Sequence, residues 1–177
     1  MLGEFLKKHI TSQADYVQYG FGQVEPNHLS AQRTAQVYAQ LPAAADIKVL
    51  EQGQFVKYDY ANGEVNFDGA GEWMMVFNEV KLYDTNRETY KDFAMKKANY
   101  LDGEMVPRLF KTNIGDIFTT NCFEMGEEDL VLSVGDTLIV GANGYLEKGS
   151  NDTMTWKVVK EYTMADGQPA VKVQRIK

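Results

Sequence analysis

Gly53-Gln-Phe-Val-Lys-Tyr-Asp-Tyr-Ala-Asn-Gly-Glu-Val65 has a shorter relative at Gly135-Asp-Thr-Leu-Ile-Val-Gly-Ala-Asn-Gly-Tyr-Leu146, and this pair decides how the rest of the chain is read. Each stretch begins on Gly, alternates apolar and polar residues, and closes on Ala-Asn-Gly before an aliphatic. Asn-Gly between two alternating runs is a strong hairpin signal, because a type I′ turn needs positive φ at both central positions. The reading is therefore a scaffold of short strands and tight turns.

Working outward, the same pattern recurs. Strands are expected at Ile47–Leu50, Phe55–Tyr60, Glu64–Phe67 and Glu72–Tyr83, the last with a mixed centre and a bulge expected at Asn78. Further strands are expected at Met105–Lys111, Gly115–Phe123, Leu130–Val134, Thr155–Tyr162 and Ala170–Ile176. Pro107 places the Met105–Lys111 run at a sheet edge. Asp166-Gly167 marks a hairpin, and the phase of Val171, Val173 and Ile176 calls for a bulge near the end. Residues 84–104 are charged, with helical offsets at Tyr90, Phe93, Ala94 and Lys97, and read as a helical or loop insertion.

Many short strands with regular turn punctuation give the fold class: mainly β, a small barrel or sandwich of short antiparallel strands, with an extended N-terminal arm. Residues 1–45 form that arm, extended or partly helical, and 46–177 form the β domain. The arm carries both histidines, His9 and His28, and few strand-like alternations. It buries too little to fold alone. Its aromatics, Tyr16, Tyr19, Phe21 and Tyr38, suit a segment that orders against a surface, either a neighbouring molecule's or its own domain's.

Bulk properties narrow the function. The chain has 177 residues, 44% of them hydrophobic, and a formal net charge of -7. That balance weighs against nucleic acid as a partner, which needs a basic face. No run approaches the roughly 18 apolar residues of a membrane-spanning helix, and no signal sequence is visible, so no membrane association is expected. With one cysteine, Cys122, no intrachain disulfide can form, and a lone cysteine reads first as a small buried hydrophobe.

No catalytic constellation emerges. A Ser or Cys nucleophile needs a base in contact, and both histidines lie in the arm. Metal-ligand spacings such as Cys-x-x-Cys or His-x-x-x-His are missing, so neither a metal nor another cofactor is expected. The acidic turn holding Glu124, Glu127, Glu128 and Asp129 reads as a solvated turn. Paired carboxylates among Asp59, Glu64 and Asp68 have no distinctive spacing for glycoside hydrolysis. Trp73 and Trp156 could stack on sugar rings as in a carbohydrate-binding module, although strand tryptophans more often belong to a core.

Gly135-Asp-Thr-Leu-Ile-Val-Gly-Ala-Asn-Gly-Tyr-Leu146, followed by Trp156-Lys-Val-Val-Lys-Glu-Tyr162 and Asp166-Gly-Gln-Pro-Ala-Val-Lys-Val-Gln-Arg-Ile176, resembles the β-rich head proteins of tailed bacteriophages, in particular capsid decoration or cement proteins. The likeness covers residues 46–177. It implies a compact β domain with no catalytic residues and an arm reaching across neighbouring capsomers. It further implies the major capsid protein or other virion proteins as partners, a location in the virion after synthesis in a host cytoplasm, and association through capsid contacts, with a homo-oligomer such as a trimer compatible. The arm residues Tyr16, Tyr19, Phe21 and Tyr38 are then the partner-binding candidates. Alternatives are another virion component (tail, connector or head fibre) or the carbohydrate-binding module.

Overall fold

The computed structural model describes residues 22–29, 37–38, 41–78, 94–100, 104–124, 132–165 and 167–177. In chain order their strands are β1 Val24–His28, β2 Val37–Tyr38, β3 Val49–Leu50, β4 Phe55–Asp59, β5 Glu64–Asn66, β6 Trp73–Val76, β7 Met95–Lys96, β8 Leu109–Phe110, β9 Ile117–Thr120, β10 Thr137–Val140, β11 Leu146–Lys148, β12 Trp156–Thr163 and β13 Pro169–Arg175. A six-stranded sheet runs β1-β9-β13-β12-β10-β11, a five-stranded sheet runs β2-β8-β6-β4-β5, and β3 pairs with β7. The strand ladders are antiparallel, so the fold is mainly β and sandwich-like, as the turn pattern predicts.

The five-stranded sheet is buried on both faces. Phe55, Met75 and Phe110 lie in one register row and face the six-stranded sheet, where they join Phe118, Leu138, Trp156, Val158 and Val173. The alternate residues Val56, Tyr58, Met74, Val76 and Leu109 face the other way. There they meet Ile47 and Leu50, with Met95 and Met105, so that the β3–β7 ribbon and its flanks form a third layer. A strand covered on both faces gains from apolar residues at every position. That explains Trp73-Met-Met-Val76 without a bulge: the strand stops at Val76, and Asn78 lies beyond it. Trp156 sits at the centre of the first core, its ring edge-on to Phe118 at 4.9 Å and 5.9 Å from Phe55.

The turns reveal what the paired stretches share. At 51–54, 113–116 and 133–136 the chain makes the same turn, with Gly53, Gly115 and Gly135 at φ 92°, 94° and 100°. The N–H of the following residue donates back to the first carbonyl, at 3.2, 3.0 and 3.0 Å for Gln54, Asp116 and Asp136. The side chain of that residue in turn accepts from the first N–H, at 2.9, 2.9 and 3.0 Å. Each turn is also pinned to one residue of an adjacent strand, which accepts from the Gly N–H and donates to the next carbonyl: Val76, Arg175 and Val158 respectively. Two residues against one, with Gly in the left-handed region, is a glycine β-bulge.

The Asn-Gly ends differ from the expected type I′ turns. Residues 60–63 form a four-residue loop, closed by Gly63 N–H to the Asp59 carbonyl at 2.9 Å and organised by the Asp59 carboxylate. Residues 142–144 form a three-residue loop with Gly144 N–H to the Gly141 carbonyl at 3.0 Å and Gly141 N–H to the Tyr145 carbonyl at 2.8 Å. The 164–168 hairpin repeats this second scheme, with Gly167 N–H to the Met164 carbonyl at 2.9 Å. An acidic side chain supplying a loop's hydrogen bonds displaces the two-residue solution.

Other expectations shift as well. Ser133 and Val134 belong to a turn, so no strand covers the described end of Leu130–Val134. The strand after Pro107 is only Leu109–Phe110 and sits between β2 and β6, not at an edge; Pro107 precedes the ladder and interrupts nothing. The late bulge falls in β12, where Val158 faces Val173 and Lys160 faces Lys172, leaving Val159 as the extra residue. Ile176 lies outside the core and is 38% exposed. Two strands come from the segment 1–45: β1 pairs with β9 and β2 with β8, and Leu29 is buried in the first core. Within 84–104, residues 94–100 carry β7 and a 3-10 helix at Lys97–Asn99.

Hydrogen bonds from Asn62 hold the Asp59 carboxyl below its ordinary value, and the Ser133 N–H does the same for Asp136, aided by Lys148 at 3.0 Å. A group whose folded pKa is depressed adds stability above its unfolded value and loses it as pH falls through the folded value. Urea midpoints are therefore expected to fall as pH drops below the ordinary aspartate value of 3.8. Asp59→Asn and Asp136→Asn each make that acid limb shallower; identical slopes in variants and parent would contradict the assignment.

Candidate functional site

Six of the ten described polar side chains that are buried, Glu51, Gln52, Gln54, Thr120, Asn121 and Gln168, gather where the two sheets meet. Glu51, Gln52 and Gln54 occupy the turn entering β4, while Thr120, Asn121 and Cys122 leave β9. The segment entering β1 threads between them. Gly22 N–H donates to Glu51 Oε2 at 2.9 Å, and Gln23 N–H to Asn121 Oδ1 at 2.7 Å. Thr120 Oγ1 donates to the Gln23 carbonyl at 2.8 Å. Gly22 is so close-set that a Cβ there would meet Glu51 at 2.6 Å and the Cys122 sulfur at 3.0 Å.

The joint continues on either side. Asn121 Nδ2 donates to Gln168 Oε1 at 2.9 Å, tying β9 to the β12–β13 hairpin. Gln52 bonds the Asn78 backbone in both directions, its Oε1 accepting at 2.9 Å and its Nε2 donating at 3.1 Å. Asn78 Oδ1 then accepts from Arg108 N–H at 3.1 Å. The two paired stretches themselves make contact here. Phe55 N–H donates to the Gly144 carbonyl at 2.8 Å, and Gln54 Nε2 donates to the Asn143 carbonyl at 2.7 Å.

Cys122 carries the most nucleophilic type of side chain in this cluster. It is fully buried, and its thiol donates to the Gln52 carbonyl at 3.0 Å. Burial, reinforced by the nearby Glu51 charge, pushes the thiol far above its usual range. Burial raises Tyr145 in the same way, with Cys122, Glu51 and Glu124 adding to the shift. A thiol held protonated is a poor nucleophile. Native protein is expected to leave Cys122 unmodified by iodoacetamide at pH 8 and to react fully in urea; rapid native alkylation, read by mass spectrometry, would overturn this.

Among the described residues, no three His, Cys, Asp or Glu side chains come together as a metal site. Of the acidic turn, Glu124 accepts from Asn143 Nδ2 at 3.3 Å, while residues 127–129 lie outside the described residues. Trp156 is fully buried and presents no ring to a ligand. Trp73 is partly buried, and the Lys57 ammonium lies over its ring at 4.6 Å. Of the partner-binding candidates, Tyr16, Tyr19 and Phe21 lie outside the described residues, and Tyr38 is described only as a β2 backbone position opposite Leu109. Among the described residues, no helix is long and apolar enough to cross a membrane.

Sequence reading missed the joint itself. Glu51, Gln52 and Asn121 look like ordinary loop polars, and only the x-x-Gly-Gln form of the 51–54 turn hints at their role. No protein-family model matches the chain, and neither a curated protein nor a solved structure matches it.

Proposed function

We propose that the chain is a non-enzymatic structural protein of a tailed-phage virion, a decoration or cement-type or minor head protein that stabilises contacts between capsid subunits. The phage character rests on the likeness of residues 46–177 to head proteins. The observation that favours a structural role is the joint: Glu51, Gln54 and Cys122 are occupied in fastening the two sides to each other, and Gln52 and Asn121 in tying together the strands of their own sheets. A chain whose buried polar groups are committed in this way acts through its surface, by burying area against a partner with anchors at the centre and a polar rim. The sugar-binding alternative has no support from Trp156, which is enclosed, or from Trp73, whose ring lies under Lys57.

Mass spectrometry of gradient-purified virions from the phage encoding this chain tests the reading, with electron microscopy to locate the density. The expected result is a constant copy number per shell and density bridging capsid subunits. Loss of the chain from virions during purification, while it persists in the lysate, would sink the proposal.

A further inference from the structure

We propose that the outer face of the six-stranded sheet, around Lys157, Lys160, Lys172 and the exposed Val134 and Val159, docks an acidic protein surface. The inference rests on the virion reading only for the identity of that partner.

Register fixes the face. Val158, Val171, Val173, Phe118 and Leu138 point into the core, so the alternate residues of their strands point outward. Lys160 stands directly opposite Lys172, and Lys157 opposite Gln174, which shares a face with Lys172. The next strands add Thr137 beside Lys157 and, beside Lys172, Thr119, which is itself buried and donates to Asn27 Oδ1 at 2.7 Å, so the accessible face lies on the β12 side of Lys172. The centre of the face is thus three lysines, with Glu25 of β1 and Glu147 of β11 on the outlying strands. Among the described residues none of the three lysines forms an ion pair, whereas Lys111 and Lys148 do. Like charges directly opposed in a ladder are unfavourable. In a chain of net charge -7 this is a local excess of the opposite sign, and it complements carboxylates.

A second observation selects a protein over nucleic acid. The turn carrying Val134 is hydrogen-bonded on both sides to Val158, at 2.8 Å each way, which brings Val134 alongside the bulge residue Val159. Val134 is 61% exposed and Val159 36%. Bulges re-aim a side chain out of the regular pleat, and the two exposed valines sit in the chain next to the strand positions that carry Lys157 and Lys160. An apolar centre with a charged rim is the anatomy of a protein interface. A nucleic-acid face would instead use aromatic platforms and a chain without overall negative charge.

The test uses the full-length protein and fluorescent poly-L-glutamate, a random Glu–Tyr copolymer, and a DNA duplex as probes, titrated at low and at physiological salt. The expected order of affinity is Glu–Tyr copolymer, then poly-L-glutamate, then DNA. The triple variant K157E/K160E/K172E is expected to weaken both polypeptides by about tenfold or more at low salt. Val134→Asp is expected to remove the copolymer's advantage. K160E alone is expected to hold or raise the thermal midpoint, since it turns a repulsive cross-strand pair into an attractive one. Unchanged polypeptide binding by the folded triple variant overturns the proposal, as does tighter binding of DNA. A lowered K160E midpoint removes the like-charge premise. Each of these outcomes is independent of whether virions contain the chain, so the docking surface and the virion reading fail separately.

Discussion

Gly144→Ala is expected to cost about 3–5 kcal/mol of folding stability, far more than the same change at Gly63. Both glycines have positive φ, 77° and 70°, so an alanine at either carries the left-handed backbone penalty of about 1–2 kcal/mol. They differ in surroundings. Nothing lies near a Cβ at Gly63, whereas at Gly144 it would run into the Phe55 carbonyl oxygen and the Phe67 ring. The backbone would have to move, and the Phe55 N–H and Gln54 Nε2 bonds that dock this loop onto β4 would go with it. Urea unfolding of both variants measures the difference. Equal losses would mean that the loop is not a fastening between the sheets.

The second large effect is expected at Trp156. Trp156→Ala removes the largest fully buried side chain of the first core and leaves a cavity between Phe55 and Phe118, a loss of about 3–5 kcal/mol. Trp156→Phe is the informative companion. Among the described residues the indole N–H of Trp156 finds no acceptor, so the parent already bears an unfulfilled polar group. A buried donor left without a partner costs about 1–3 kcal/mol. Phenylalanine gives up packing area but also removes that donor, and its loss is expected to be less than half that of alanine. Comparable losses for both variants, read from urea midpoints at constant m, would show that the indole N–H is satisfied in solution.

The legible part of this fold is its punctuation. Gly53, Gly115 and Gly135 are visible as turn formers because a residue with positive φ is written in the sequence as glycine. The apolar run Trp73–Val76 was harder, because period-two alternation disappears where both faces of a strand are covered. Loop type at Asn62-Gly63 was not legible, since it depends on whether Asp59 turns its carboxylate inward, a choice made by the folded hairpin. The joint was the least legible of all. Gly22, Glu51 and Asn121 are separated by up to about a hundred positions in the chain, and nothing local distinguishes a glutamate that will accept a distant N–H from one that stays in water. The lysine face lies between these extremes. Trp156-Lys-Val158 and Val171-Lys-Val173 alternate plainly, but the opposition of Lys160 and Lys172 depends on a register that the bulge at Val159 sets.

The five-stranded sheet has a further consequence. It is a party wall: Phe55 and Met75 furnish one room, while Val56 and Met74, the residues beside them, furnish the other. The wall itself cannot give way on one side alone, because a strand of it that lets go exposes both sides at once. Among the described residues, unfolding of β4 or β6 therefore opens both cores together, and these two paired strands are the elements that the cores have in common.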